Sequence, residues 1–156
     1  MSESALGTQV VCQVGLVVRD IAQAAERYSR LFGLPMPEII TTDPYEMART
    51  TYRGQPTQAR AKLAFFPIGQ VQLELIEPVG GPSTWQRFLE EKGEGVHHIA
   101  FIIQDTPAIT QRLAELGMPV EQQGYYTGGM YTYIDSSTQV GVILELLENF
   151  AEQGAN

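Results

Sequence analysis

The chain has 156 residues, 44% of them hydrophobic and 18% charged, which supplies one folded core and excludes both a large multidomain assembly and an intrinsically disordered chain. Eighteen acidic against ten basic residues leave a net charge of −8, which repels phosphate backbones and argues against a nucleic-acid partner. No apolar run reaches the roughly 18 residues of a membrane span, and Met1 to Thr8 lack the basic start and apolar middle of a secretory leader. The expectation is a cytoplasmic protein with no membrane partner. A single cysteine, Cys12, rules out an internal disulfide and a multi-cysteine zinc site, so any metal must take His, Glu, Asp or Gln ligands.

In chain order, Val10 to Val18 (VVCQVGLVV) predicts a buried strand interrupted by Gln13. Asp20 is placed to cap a helix over Ile21 to Leu34, with Gly33 as its stop. Pro35 to Gln58 shows no sustained period, and strand pieces are expected around Tyr45 to Tyr52. Lys62 to Phe66 and Val71 to Ile76 predict a hairpin about Pro67 to Gly69. Ser83 to Lys92 predicts a linking helix, with Ser83 and Gln86 in capping-box spacing. Val96 to Ile103 is again a strand, Asp105 again a cap, and Pro107 to Leu116 again a helix, ending at Gly117. Tyr125 to Ile134 and Val142 to Leu147 predict a second hairpin.

That succession is an internal repeat. CQVGLVVRD (Cys12 to Asp20) lies over HHIAFIIQD (His97 to Asp105), so that Gln13 matches His98; LELIE (Leu73 to Glu77) lies over LELLE (Leu144 to Glu148), so that Glu74 matches Glu145. Each half reads βαβββ: 10–78 the first module, 83–93 the linking helix and 96–149 the second, together one domain of α+β class. Neither half is expected to stand alone, because about 60 residues bury a marginal core.

Each of four otherwise apolar strands carries one polar side chain mid-run: Gln13, Glu74, His98 and Glu145. Singly, each has an ordinary explanation. A lone histidine is commonly a satisfied core residue, and a strand glutamate commonly faces water on one side of an antiparallel sheet. Jointly, at repeat-equivalent positions, they favour a shared site, since an unpaired buried carboxylate costs several kcal/mol and needs a cation, a hydrogen-bond network or water. If a pseudo-twofold axis relates the halves, the four converge as a nitrogen and oxygen donor set suited to a divalent transition ion. Alternation puts Gly15 beside Gln13 and Ala100 beside His98, small residues that leave room for a ligand. The same alternation turns His97 to the other face, towards a helix or solvent. Glu77 and Glu148, at strand ends, are expected to be solvated, and Cys12 to be an apolar filler.

These residues resemble the vicinal oxygen chelate superfamily, which includes glyoxalase I, methylmalonyl-CoA epimerase, extradiol dioxygenases and the fosfomycin and bleomycin resistance proteins. VGLVVRDIAQAAERYSRLFGL, AFFPIGQVQLELIEP, FLEEKGEGVHHIAF and GVILELLE are similar in wording to the methylmalonyl-CoA epimerase branch. The resemblance implies two paired βαβββ modules forming a cupped mixed sheet around a divalent ion (Co, Ni, Zn or Mn), in a homodimer. Gln13, Glu74, His98 and Glu145 would be the ligands. It implies an epimerase that inverts the α-carbon of a methylmalonyl-CoA-like thioester through an enediolate, with Glu145 as base on one face and Glu74, Lys62, a tyrosine or a bound water serving the other. The chain departs from the epimerase pattern twice. Gln13 stands where epimerases usually carry His, as in some glyoxalase I proteins, and Lys62 stands in the strand where some epimerases carry a second acid.

Around the Gly128-Gly129 turn, Tyr125, Tyr126, Met130, Tyr131 and Tyr133 either line the acyl pocket, act as a lid with glycine hinges, or pack as ordinary strand residues. Arg49, Arg53, Arg60 and Lys62 either meet the phosphates of an acyl-CoA partner or are scattered surface charges. The rival readings are a glyoxalase I-like lactoylglutathione lyase and a non-catalytic small-molecule (antibiotic) binding protein of the same fold. A dioxygenase is disfavoured, since its iron takes two histidines and a carboxylate and only His98 is well placed.

Overall fold

The computed structural model describes residues 3–151; residues 1–2, part of the amino-terminal segment considered above, and 152–156 lie outside it. The elements in order are β1 (Gln13–Val17), α1 (Ile21–Phe32), β2 (Ile40–Thr41), α2 (Tyr45–Ala48), β3 (Thr51–Tyr52), β4 (Gln55–Pro56), β5 (Arg60–Ile68), β6 (Val71–Val79), α3 (Thr84–Lys92), β7 (Gly95–Ile102), α4 (Thr106–Glu115), β8 (Val120–Tyr126), β9 (Gly129–Ile134), α5 (Ser137–Val140) and β10 (Ile143–Asn149). All ten strands join one sheet in the order β2-β5-β6-β1-β7-β10-β9-β8-β3-β4. About the antiparallel β1–β7 pair that order is symmetric over four strands on each side, with β3 and β4 added beyond β8: β1 runs parallel to β6 as β7 does to β10, and antiparallel partners follow on each side. Ile40 at one end of the sheet and Tyr126 near the other line a single cleft, so the sheet curls around a concave face. This is the expected α+β architecture of paired βαβββ modules. No helix among the described residues is long and apolar enough to cross a membrane.

Local chemistry explains the helices. Asp20 accepts from Gln23 N, and Gly33, at φ 66°, ends α1 in the left-handed conformation that glycine tolerates. Asp105 accepts from Ala108 N and Ser83 from Gln86 N, capping α4 and α3. α1 lays Ile21 and Ala25 on Phe66, Leu73 and Leu75; α4 lays Ile109 and Leu113 on Phe101, Leu144 and Leu146. With those strand residues committed to the helix-covered side, alternation sends Gln13, Glu74 and Glu145 to the concave side.

Two expectations need correction. Glu77 and Glu148 are not simply solvated: they accept from the first helical amides, Ile21 N at 3.3 Å and Thr106 N at 2.8 Å, so each module's final strand caps its own helix. Tyr45–Ala48 is a short helix, not strand; Pro44 precedes it and Arg49, at φ 50°, ends it. Only Thr51–Tyr52 of that segment is strand, and it pairs with β8 at the far edge (Thr51↔Gln123), so that the first module's insertion straps across the concave face. The short helix α5, closed by Gly141, has no counterpart in the sequence reading.

Candidate metal centre

The four middle strands, β6, β1, β7 and β10, each contribute one polar side chain: Glu74, Gln13, His98 and Glu145, all buried. His98 Nε2 lies 2.9 Å from Gln13 Oε1, 2.9 Å from Glu145 Oε2 and 3.4 Å from Glu74 Oε1. Glu74, His98 and Glu145 each present a ligand atom within 4.8 Å of the others. Gln13 Nε2 donates to Gln72 Oε1 at 2.7 Å, which turns the amide oxygen towards the cluster.

One imidazole nitrogen carries at most one proton, yet three oxygens crowd it. Glu74 Oε1 and Glu145 Oε2 are buried without a well-formed hydrogen bond, an expensive condition for carboxylates. Burial and the Glu145 charge, partly offset by His98, push the Glu74 carboxyl up to about 8. Burial pulls the His98 imidazole down, but Glu145 and then Glu74 outweigh it, and the net shift is upward. A divalent cation bound among these atoms would replace the missing donors and offset the paired carboxylate charge. The residues fit such an ion, and the imidazole, amide and carboxylate donors suit Mn, Co, Ni or Zn.

The structure relocates several predicted site residues. Gly15 does not open ligand space: a Cβ there would fall 2.0 Å from His98 Cε1, so its bareness accommodates the imidazole. Ala100, fully buried, is the cross-strand partner of both Gln13 and Glu145 and does not line the cleft. His97 does not turn away from His98. The register passes from Gly15↔His98 to Leu16↔Val96, a bulge that leaves His97 as an extra residue and breaks strict alternation. Its ring nitrogen Nδ1 sits 2.9 Å from His98 Nδ1, while its ring packs on Phe88 of α3.

A cleft of about 520 Å³ opens over Gln13, Glu74 and Glu145. Tyr125, Tyr126, Tyr131 and Tyr133 line it. Met130 does not: it alternates with Tyr131 and Tyr133 along β9 and takes the opposite face. Lys62 also lies outside. On β5 it is Leu63 and Phe65 that line the cleft, while Lys62 alternates to the helix side and pairs with Glu77 at 3.3 Å. The other basic residues do not converge on the cleft either: Arg49 stacks on Tyr45, Arg53 on Tyr52, and Arg60 donates to Thr42 O at 2.8 Å. No Lys or Arg is among the described lining residues. Sequence reasoning missed Gln72, Asp43, Thr50, Phe65 and Trp85 as lining residues. Gln72 and Phe65 carried a readable signal, being two positions before Glu74 on the same face and opposite Glu74 in the hairpin; Asp43, Thr50 and Trp85 arrive by the strap and by α3.

Comparison with known proteins agrees with this fold. Residues 12–134 match the family model described as the glyoxalase/bleomycin resistance protein/dioxygenase superfamily. A curated relative, the uncharacterized protein YqjC of Bacillus subtilis (strain 168), is 30% identical over 144 residues, covering 90% of this chain and 92% of that one. Among solved structures, methylmalonyl-CoA epimerase from Mycobacterium tuberculosis aligns at TM-score 0.63 and 21% identity, over 100% of this chain and 97% of its own. A Streptomyces coelicolor methylmalonyl-CoA epimerase variant in complex with 2-nitronate-propionyl-CoA aligns at 0.62 and 24%, over 92% and 99%. At these identities the structural likeness establishes the fold. With the family model spanning most of its length, the chain belongs to the glyoxalase/bleomycin resistance protein/dioxygenase superfamily.

Proposed function

We propose that the protein is a divalent-metal-dependent epimerase that inverts the α-carbon of a methylmalonyl-CoA-like thioester. The observation that carries this reading is the convergence of Gln13, Glu74, His98 and Glu145, with orphaned carboxylate oxygens, at the floor of an aromatic-lined cleft. A bound ion, held by Gln13 Oε1, His98 Nε2 and the two carboxylates, would supply Lewis-acid stabilisation of an enediolate. Among the described residues no cationic side chain lines the cleft, so a substrate carboxylate and carbonyl find compensating charge only at that centre. Glu145, where it is displaced from or loosely held by the ion, is the proposed base on one face of the substrate, and Glu74, on the other flank of the β1–β7 pair, the group that serves the opposite face. Leu63, Phe65, Tyr131 and Tyr133 exclude water and hold the acyl portion. The reading includes a cytoplasmic homodimer, whose stoichiometry sedimentation would measure.

A glyoxalase I-like lyase acting on a hemithioacetal is the second reading, favoured by the amide of Gln13 in place of an imidazole. Exchange of substrate α-protons with D₂O, followed by NMR under Co, Ni, Zn and Mn, separates the two. Metal-dependent exchange on methylmalonyl-CoA supports the epimerase, and turnover confined to methylglyoxal with glutathione supports the lyase. Tight drug binding by metal-free protein, with no exchange on either substrate under any of these ions, would overturn both in favour of a binding protein.

A further inference from the structure

The metal-centre reading gives His97 no task, yet this side chain is buried and both its ring nitrogens are engaged. Nδ1 lies 2.9 Å from His98 Nδ1, and Nε2 lies 3.0 Å from Thr84 Oγ1. Thr84 Oγ1 in turn lies 3.5 Å from Glu121 Oε2, and Glu121 Oε1 accepts from Arg87 Nη1 at 3.2 Å. The guanidinium at the far end is donor-only, so Glu121 accepts from it, and with Thr84 donating to the other Glu121 oxygen the direction of the remaining bonds follows. Glu121 accepts from Arg87 at Oε1 and from the single Thr84 hydroxyl proton at Oε2, so the hydroxyl oxygen is left to accept from His97. His97 then carries its proton on Nε2 and presents a lone pair on Nδ1, which only a proton on His98 Nδ1 can satisfy. That leaves His98 Nε2, the atom facing Gln13, Glu74 and Glu145, as the coordinating nitrogen. Run in reverse, the chain would put a proton on His98 Nε2 and close the centre to a cation.

We propose that His97 is a positioning residue: with Thr84 and Glu121 behind it, it holds His98 in the Nδ1–H tautomer and so selects Nε2 as the metal ligand. Its function rests on the metal-centre reading above, but its hydrogen-bond direction does not. The β7 bulge is the device that makes the contact, since unbroken alternation would place the two rings on opposite faces. The helix α3, which joins the two modules, supplies both Thr84 and Arg87 and thereby ties the inter-module link to the centre.

The test uses the full chain, whose only two histidines are these. Long-range ¹H–¹⁵N correlation on ¹⁵N-histidine-labelled protein reads both tautomers, metal-free and zinc-loaded, and chelator competition reads zinc affinity. Expected are His97 as Nε2–H in both states and zinc-loaded His98 as Nδ1–H with Nε2 coordinated. Thr84→Val and His97→Leu should weaken zinc binding about 10–100-fold, whereas Thr84→Ser and His97→Asn, whose Oδ1 replaces the Nδ1 acceptor, should return it to within about threefold. His97 found as Nδ1–H, or zinc affinity within about twofold of the parent in both Thr84→Val and His97→Leu, would overturn the proposal. If His97→Leu does not fold, the Thr84 pair decides. If the parent chain takes up none of zinc, cobalt, nickel and manganese, the metal-centre reading fails, and the metal-free tautomer of His97 still supports or refutes the hydrogen-bond direction.

Discussion

Gly15→Ala is the smallest change that reaches the centre without removing a ligand. The added methyl would fall 2.0 Å from His98 Cε1, 2.4 Å from Nε2 and 2.5 Å from Nδ1. Carbon–carbon contact is comfortable from about 3.5 Å, so the ring must retreat by about 1.5 Å or the strand must part. His98 is fully buried, with the rings of His97 and Tyr133 centred 5.2 and 5.1 Å from its own, and has nowhere to swing. Metal–ligand distances tolerate only about 0.2 Å, and overpacking a tight interior costs typically about 1–3 kcal/mol. The variant should therefore fold with a lowered Tm and lose at least about 100-fold in zinc or cobalt affinity, measured by chelator competition alongside metal-free thermal melts. Zinc binding within about threefold of the parent would refute the placement of His98 against Gly15.

Further outcomes follow from other parts of the structure. Because Glu74 stands near 8 when folded against an ordinary 4.5, folding takes up protons in that window, and Glu74 costs the metal-free protein stability as pH rises from about 4.5 to about 8. Glu74→Gln should accordingly raise the metal-free Tm more at pH 8 than at pH 5, and an equal shift at both would count against the buried carboxylate pair. Glu145→Gln should reduce α-proton exchange about 10²–10⁴-fold while a thermal melt shows the fold intact; undiminished exchange would remove it as the base. Glu148→Ala should lower stability by about 1–2 kcal/mol through loss of the cap on Thr106 N, with no change in zinc affinity. Urea unfolding with parallel metal titration checks both halves of that statement.

The repeat, the helix caps and the four inward polar residues were legible because each depends on local spacing: Asp20 and Asp105 three residues ahead of the amides they cap, and Gln13, Glu74, His98 and Glu145 at matching steps of two strand pairs. Lys62 and Met130 were misplaced for want of strand phase, since one step along β5 or β9 moves a side chain to the other face. His97 was misplaced for the opposite reason: phase was applied where a bulge suspends it. The strap that carries Asp43 and Thr50 over the cleft has no period of its own, because its short pieces are held by pairing with β5 and β8 rather than by a buried face. Glu77 and Glu148 show how a strand-end carboxylate that reads as solvent-facing is claimed by a helix terminus from elsewhere in its module.

The measurement that bears most directly on the central claim is anomalous diffraction from crystals of the zinc-loaded protein. The account predicts one ion per chain, about 2.0–2.2 Å from His98 Nε2 and from oxygens of Gln13, Glu74 and Glu145. An ion held elsewhere, or none after loading at stoichiometric zinc, would contradict it.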